Sequence, residues 1–302
     1  MPKLPNILVK DAQQNSVPFA GRYNGATVFI VGGGPSIRAL DCTKLYSRGV
    51  LTFAINNVAA NEVRPNLWTA GDSPHKFALS IWKDPAITKF VPEHRADSPI
   101  FDKTTPRDMP NVFTFPLASD FNSQTWLSES QVGWGLNRYH ADSLGRKGVR
   151  SSFFIALKLA YFLGFRKAYL VGCDFKVKGD QFYGFDETKT PQQVTSNLHA
   201  FKVIAERFSE IRFELEEAGF EVRNCSEDSL LDVPYVPFEQ ALEKALNYTP
   251  QQVETLGMYD KPAPGQTNAR LNWEPRAPNL PNEIKPMKKS YVHVETYVRT
   301  AK

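Results

Sequence analysis

The first chemical signal in this chain is a glycine turn, Gly32-Gly33-Gly34-Pro35-Ser36, at the end of the apolar run Thr27-Val-Phe-Ile-Val31. Glycines where a strand hands over to a helix let backbone amides approach phosphate or ribose, so the turn reads as a nucleotide site. A P-loop needs a lysine directly after its glycines, and none follows here. A dinucleotide fingerprint needs a third small residue where Ile37 stands, and an acidic residue at the end of the second strand, where the chain has Asn56-Asn57. The pattern therefore argues against NAD and for a mononucleotide or nucleotide sugar. An asparagine amide both donates and accepts, which suits a ribose hydroxyl or a base edge. Simple turn chemistry accounts for the same residue type.

Asp72 and Asp174 each follow an apolar strand and so fall where ligands sit in an open parallel sheet. Either could bind substrate or hold Mg²⁺ through oxygen ligands, or merely cap the next turn. His199 reads as lying in the first turn of a long amphipathic helix, off its apolar stripe. There the dipole disfavours the charged imidazole and leaves a neutral base. An exposed surface histidine fits the same spacing, and His75, His94, His140 and His293 have no supporting context.

The elements that must position these groups alternate between strand and helix. Thr27–Val31, Leu51–Ile55, Leu67–Ala70, Asn111–Phe115, Ala168–Val171 and Phe220–Arg223 read as strands. Helices are expected around Ile37–Tyr46, from Ser151 as N-cap to Leu163 before Gly164, and over 197–218 before Gly219. The expected fold is α/β, a Rossmann-like and mostly parallel sheet with helices on both faces. Residues 1–24 read as an irregular lead-in and 25–246 as the nucleotide-binding catalytic domain, with 75–145 as an insertion or lid over one sheet edge. Seven prolines between Pro250 and Pro286 make 247–302 an arm, ending in a candidate strand at Ser290–Val298 that could serve a homo-oligomer.

Composition narrows the class. The 302 residues carry a net charge of +4, with 42% hydrophobic and 23% charged residues, as in an ordinary globular protein. The mild basicity suits phosphate-bearing ligands but falls short of a dedicated DNA binder. Cys42, Cys173 and Cys225 are odd in number and far apart, which fits a reducing cytoplasm better than a disulfide framework. No apolar run reaches the ~18 residues of a membrane span, and the start of the chain lacks the apolar core of a secretory signal.

Taken in order, Val31-Gly-Gly-Gly-Pro-Ser36, Asn56-Asn57, Arg150-Ser-Ser152, Val171-Gly-Cys-Asp-Phe175, Tyr183-Gly-Phe-Asp186, His199 and Asn224-Cys-Ser-Glu-Asp-Ser-Leu230 resemble the bacterial sialyltransferases of glycosyltransferase family 42. They also resemble the DUF115 superfamily, which includes a 6-hydroxymethylpterin pyrophosphokinase and many phage and bacterial proteins. The resemblance spans roughly residues 26–235 as scattered motifs. It implies a metal-independent transferase that uses a nucleotide-sugar donor and inverts the sugar. Gly32, Gly33, Gly34, Pro35 and Ser36 would cradle the nucleotide, Asn56 and Asn57 would hold ribose or sugar, and Ser151 and Ser152 would contact the donor. His199 would be the general base, with Tyr183 donating to the leaving phosphate. Where the family pattern has a second phosphate tyrosine this chain has Lys176, which points away from CMP-sialic acid toward another donor. The DUF115 side implies instead ATP with Mg²⁺ on Asp72 or Asp174. A non-catalytic nucleotide-binding or structural protein is the third expectation. The acceptor, a glycan or a modified nucleic acid, is not legible in the sequence.

Overall fold

The structure, a computed structural model, describes residues 4–118, 120–133, 151–177, 183–185 and 190–246. The arm, its candidate terminal strand and any oligomer contact they make lie outside the described residues. Seven strands form one all-parallel sheet: β1 (Thr27–Val31), β2 (Thr52–Ile55), β3 (Leu67–Thr69), β4 (Thr88–Pro92), β5 (Val112–Phe115), β6 (Lys167–Val171) and β7 (Glu221–Asn224). Their order is β5-β4-β3-β2-β1-β6-β7. The chain works outward from β1 to β5, then returns to β6 on the other flank of β1. The strand order thus reverses between β1 and β6, where open α/β sheets bind their ligands.

Period-two alternation sends the strand side chains into two cores. Val28, Ile30, Phe53, Phe90 and Leu170 meet α3 (Ser152–Phe162) and α4 (Pro191–Glu217) on one face. Phe29, Val31, Trp68, Val91 and Tyr169 meet α2 (Leu79–Lys83) and α5 (Phe238–Leu246) on the other, with α1 (Val58–Asn61) packed there too. The expected Rossmann-like sheet with helices on both faces is what the chain forms. Among the described residues, no helix is long and apolar enough to cross a membrane.

Helix ends follow their capping chemistry. Ser151 Oγ accepts from Phe154 N at 3.4 Å. Gly164, at φ +98°, closes α3 with Gly164 N to Tyr161 O and Phe165 N to Ala160 O, a Schellman pair. Gly219 closes α4 in the same way. The start of α4 differs from expectation. Thr190 and Gln193 form a reciprocal capping box with Pro191 at the first helical position, so the helix begins at Pro191, not near 197.

Two further expectations are corrected. Ile37–Tyr46 is not one helix but two 3₁₀ turns, Pro35–Ala39 and Cys42–Tyr46, because Leu40 is extended and Asp41 starts a new cap on Thr43. Residues 75–145 are not a mere insertion, since they supply α2, β4 and β5 to the main sheet. The polar Lys89, second residue of β4, hides that strand from periodicity. Its ammonium is buried and donates to Asp84 O, Ile87 O and Pro110 O at 2.6, 3.0 and 2.8 Å. Within the lead-in, Ile7 and Val9 are buried and Lys10 exchanges backbone hydrogen bonds with Thr114, covering the β5 edge.

Candidate functional site

At the carboxyl ends of β1, β2, β3 and β6 lies a cleft of about 520 Å³. A second depression of about 660 Å³ sits at the opposite ends of the strands, lined by Thr27, Lys167 and Glu221. The carboxyl-end cleft is lined by most of the sequence-predicted residues, though not by Pro35, Ser36, Asp174 or His199, and stands at the order reversal, so it is the candidate site.

The glycine turn does something other than the sequence suggested. Gly32 N donates to Val171 O at 2.8 Å, Gly34 N to Gly172 O at 2.7 Å, and Ser36 N to Asp174 Oδ2 at 2.8 Å. A Cβ on Gly32 would stand 2.6 Å from Gly172 O, and one on Gly34 2.4 Å from Asp174 Oδ2. The glycines therefore let the ends of β1 and β6 cross in contact, and most of the turn's amides are spent on that crossing. Gly33 N is the turn amide left over among the described residues, and Gly33 lines the cleft.

Asp174 is likewise drawn inward. It is 4% exposed, holds Ser36 N through one oxygen and leaves the other unpartnered. Asp72 lines the cleft at the end of β3 and pairs with Lys76 at 3.4 Å. The two aspartates thus serve different partners. Among the described residues, no group of three or more His, Cys, Asp and Glu could hold a metal ion.

Asn56 and Asn57 also separate. Asn57 Nδ2 donates to Lys76 O and its Oδ1 accepts from Ala78 N, so its amide ties β2 to the loop after β3. Asn56 occupies the left-handed region at φ +55°, which asparagine tolerates. Gly71 N donates to Ser152 Oγ at 3.0 Å, and that hydroxyl in turn donates a hydrogen bond to Asn56 Oδ1 at 2.9 Å. The relay fixes the amide orientation and leaves Asn56 Nδ2 as a donor facing the cleft. Ser151 and Ser152 both line the cleft, and Ser151, 2% exposed, also works as the α3 cap.

Beyond the turn, Tyr183 and Phe185 stack in parallel, their centroids 5.2 Å apart, and Gly184 N donates to Gly33 O. A Cβ on Gly33 would come within 2.8 Å of the Phe185 ring. Phe175 sits at φ +52°, a strained setting for an aromatic residue, held edge-on between Phe153 and Phe201. Lys176 follows it into the cleft and pairs with Asp228. Cys173 lines the wall, but burial pushes its thiol far up, which rules it out as a thiolate nucleophile.

His199 is not brought into this cleft. It is exposed in the third turn of α4, beyond the reach of the N-terminal dipole effect that the sequence reading relied on. The α4 face turned to the cleft is Gln193, Asn197, Ala200, Phe201 and Ile204. The Thr190-Pro191-x-Gln193 signature would have revealed this face. It sets the register eight residues before His199.

No family model matches the chain, and no curated protein is similar enough to match. Solved structures are similar at low identity. The MAf glycosyltransferase of Magnetospirillum magneticum AMB-1 is 13% identical with a TM-score of 0.43, over 83% of this chain and 37% of that one. The chain thus spans little more than a third of that protein. The sialyltransferase CstII of Campylobacter jejuni, solved with cytidine-5'-monophosphate, is 14% identical with a TM-score of 0.42, over 71% of this chain and 86% of that one. The monofunctional alpha-2,3-sialyltransferase Cst-I of Campylobacter jejuni is 14% identical with a TM-score of 0.38, over 82% and 93%.

Proposed function

We propose that the chain is a glycosyltransferase-like enzyme that takes a nucleotide-sugar donor in the switch-point cleft and passes the sugar to a glycan or nucleic-acid acceptor in the cytoplasm. The observation that carries this reading is the Gly71–Ser152–Asn56 relay. It presents one oriented amide donor in a cleft whose other polar groups include Lys176, Tyr183 and Gly33 N. Asn56 takes the ribose or sugar oxygens, while Lys176 and Tyr183 stabilise the charge that develops on the leaving phosphate. The nucleotide lies along Gly33 rather than over the whole turn, because the amides of Gly32, Gly34 and Ser36 are already engaged. No step of this chemistry calls on Mg²⁺. The pyrophosphokinase alternative needs Asp72 or Asp174 as a ligand, yet Asp174 does not line the cleft and Asp72 is paired with Lys76.

The base follows from two arguments that disagree. The resemblance gives it to His199, which stands beside the cleft-lining Ala200 but on the exposed side of α4. The geometry offers Asp72, the carboxylate that lines the cleft. A thermal-shift screen of CMP, UDP and ADP and their sugars, with and without Mg²⁺, tests the donor. Stabilisation by a nucleotide sugar without metal supports the proposal, whereas a strict need for ATP with Mg²⁺ transfers the site to the alternative. With a donor in hand, loss of about 100-fold in kcat in His199→Ala with donor affinity intact keeps His199 as base. The same loss in Asp72→Asn, with His199→Ala active, moves the role to Asp72.

A further inference from the structure

The segment Asn224–Leu230 has no part in the donor chemistry above, yet the fold builds it into the site. Ser226 Oγ lies 2.8 Å from Ser36 Oγ, and Ser226 N donates to Asn224 Oδ1 at 3.0 Å. Ser229 Oγ donates to Cys173 O at 2.8 Å, and Leu230 N to Asp174 O at 3.0 Å. The loop leaving β7 is therefore stitched to the glycine turn and to the end of β6 at once. From that scaffold it presents Asp228 to Lys176. The Asp228 side chain is 90% exposed and the Lys176 side chain 29%, so a carboxylate reaches from solvent onto a half-buried ammonium.

On the opposite wall Lys76 meets Asp72. Among the described cleft-lining residues the charged ones are Asp72, Lys76 and Lys176, so each cation already faces a carboxylate of its own. An empty cleft of this kind is close to neutral, and an anionic ligand must gain its attraction by exchange. The two exchanges are unequal. Asp72 is part of the wall and remains after its ion pair breaks, whereas Asp228 can turn fully into water.

We propose that Asp228 is a built-in counter-ion that stands at Lys176 in place of the ligand's phosphate and is displaced by it. Asp228 thereby sets the affinity and charge selectivity of the cleft. This rests on the reading of Lys176 as the phosphate group's partner. A phosphate carries more charge and more acceptor oxygens than one carboxylate, so it wins the exchange. A monoanion gains less, and a neutral sugar nothing. The counter-ion thus favours phosphorylated ligands over carboxylates and free sugars.

The test is calorimetric titration of the full chain with inorganic pyrophosphate, beside Asp228→Asn, Asp228→Ser and Lys176→Met. Removing an exposed competing carboxylate should tighten pyrophosphate binding about three- to fivefold in both Asp228 variants. The gain should vanish in the Lys176→Met/Asp228→Asn double variant. Equal affinity in wild type and both Asp228 variants, including no measurable binding in any of them, overturns the proposal. So does a gain that survives without Lys176. A UDP and CMP arm separates the two readings. A pyrophosphate gain with no nucleotide binding keeps the counter-ion and removes the nucleotide-sugar proposal. Nucleotide binding that is indifferent to Asp228 does the reverse.

Discussion

At the scale of single residues, the three glycines of the turn have different jobs, and substitution should separate them. A Cβ on Gly34 would meet Asp174 Oδ2 at 2.4 Å and Gly172 O at 2.7 Å, a carboxylate already committed to Ser36 N and a backbone carbonyl. Neither can yield without opening the β1–β6 crossing. Gly34→Ala should therefore cost more than about 3 kcal/mol of folding stability, at the high end for a single substitution. On Gly33 the same methyl meets the edge of the Phe185 ring at 2.8 Å, a side chain that can move. Gly33→Ala should cost under about 1.5 kcal/mol while weakening any ligand that uses the Gly33 amide. Denaturant melts of the two variants give the order, and equal losses would mean that the crossing is not what the glycines are for.

Elements show where the sequence was readable and where it was not. The strands β1, β2, β3 and β6 are apolar runs buried on both faces, and β5 and β7 follow turn residues, so pattern and position both mark them. The ends of α3 and α4 are marked by Gly164 and Gly219, whose left-handed conformations the structure uses as caps. By contrast, β4 carries a lysine at its second position, and no hydropathy pattern reports a buried ammonium satisfied by three carbonyls. The order of site residues along the chain was legible, but their use was not. Both Asn56 and Asn57 line the cleft, but how each amide is engaged depends on Ser152 and Ala78, which lie far from them in sequence. The same β4 detail carries a prediction. Lys89→Met leaves Asp84 O, Ile87 O and Pro110 O without the ammonium that joins them, at about 1–3 kcal/mol per stranded group. The variant should lose about 3 kcal/mol or more in a urea melt. A neutral result would show that water replaces the ammonium.

On the scale of the whole molecule, Lys158 links folding to pH. It is fully buried on α3, its Nζ has no hydrogen-bond partner, and it lies 5.5 Å from the centre of the Trp126 ring. Burial pushes its ammonium down to about 8 from 10.5, with Glu129 and Glu214 opposing. Burial pushes Lys89 down to about 8 as well, but its three carbonyls hold the proton in place, so Lys158 is the group expected to respond. Between pH 8 and 10.5 the unfolded chain keeps the Lys158 proton while the folded chain has released it. Stability therefore rises with pH through that window and gains nothing from this group below it. The buried thiols of Cys42, Cys173 and Cys225 are pushed up from 9, so from about pH 8 upward they withdraw stability as pH rises. Lys158 should add about 1 kcal/mol between pH 8 and 9, read as wild type minus Lys158→Met because the three thiols withdraw about as much over the same interval. Lys158→Met removes a buried charge without a hydrogen-bond partner, so it should raise the melting temperature at pH 7 and lose stability between pH 8 and 9 where the wild type holds level. A lower melting temperature with the same pH 8–9 dependence as wild type would mean that Lys158 is charged and satisfied within the fold, with solvent reaching it between α3 and the loop that carries Trp126.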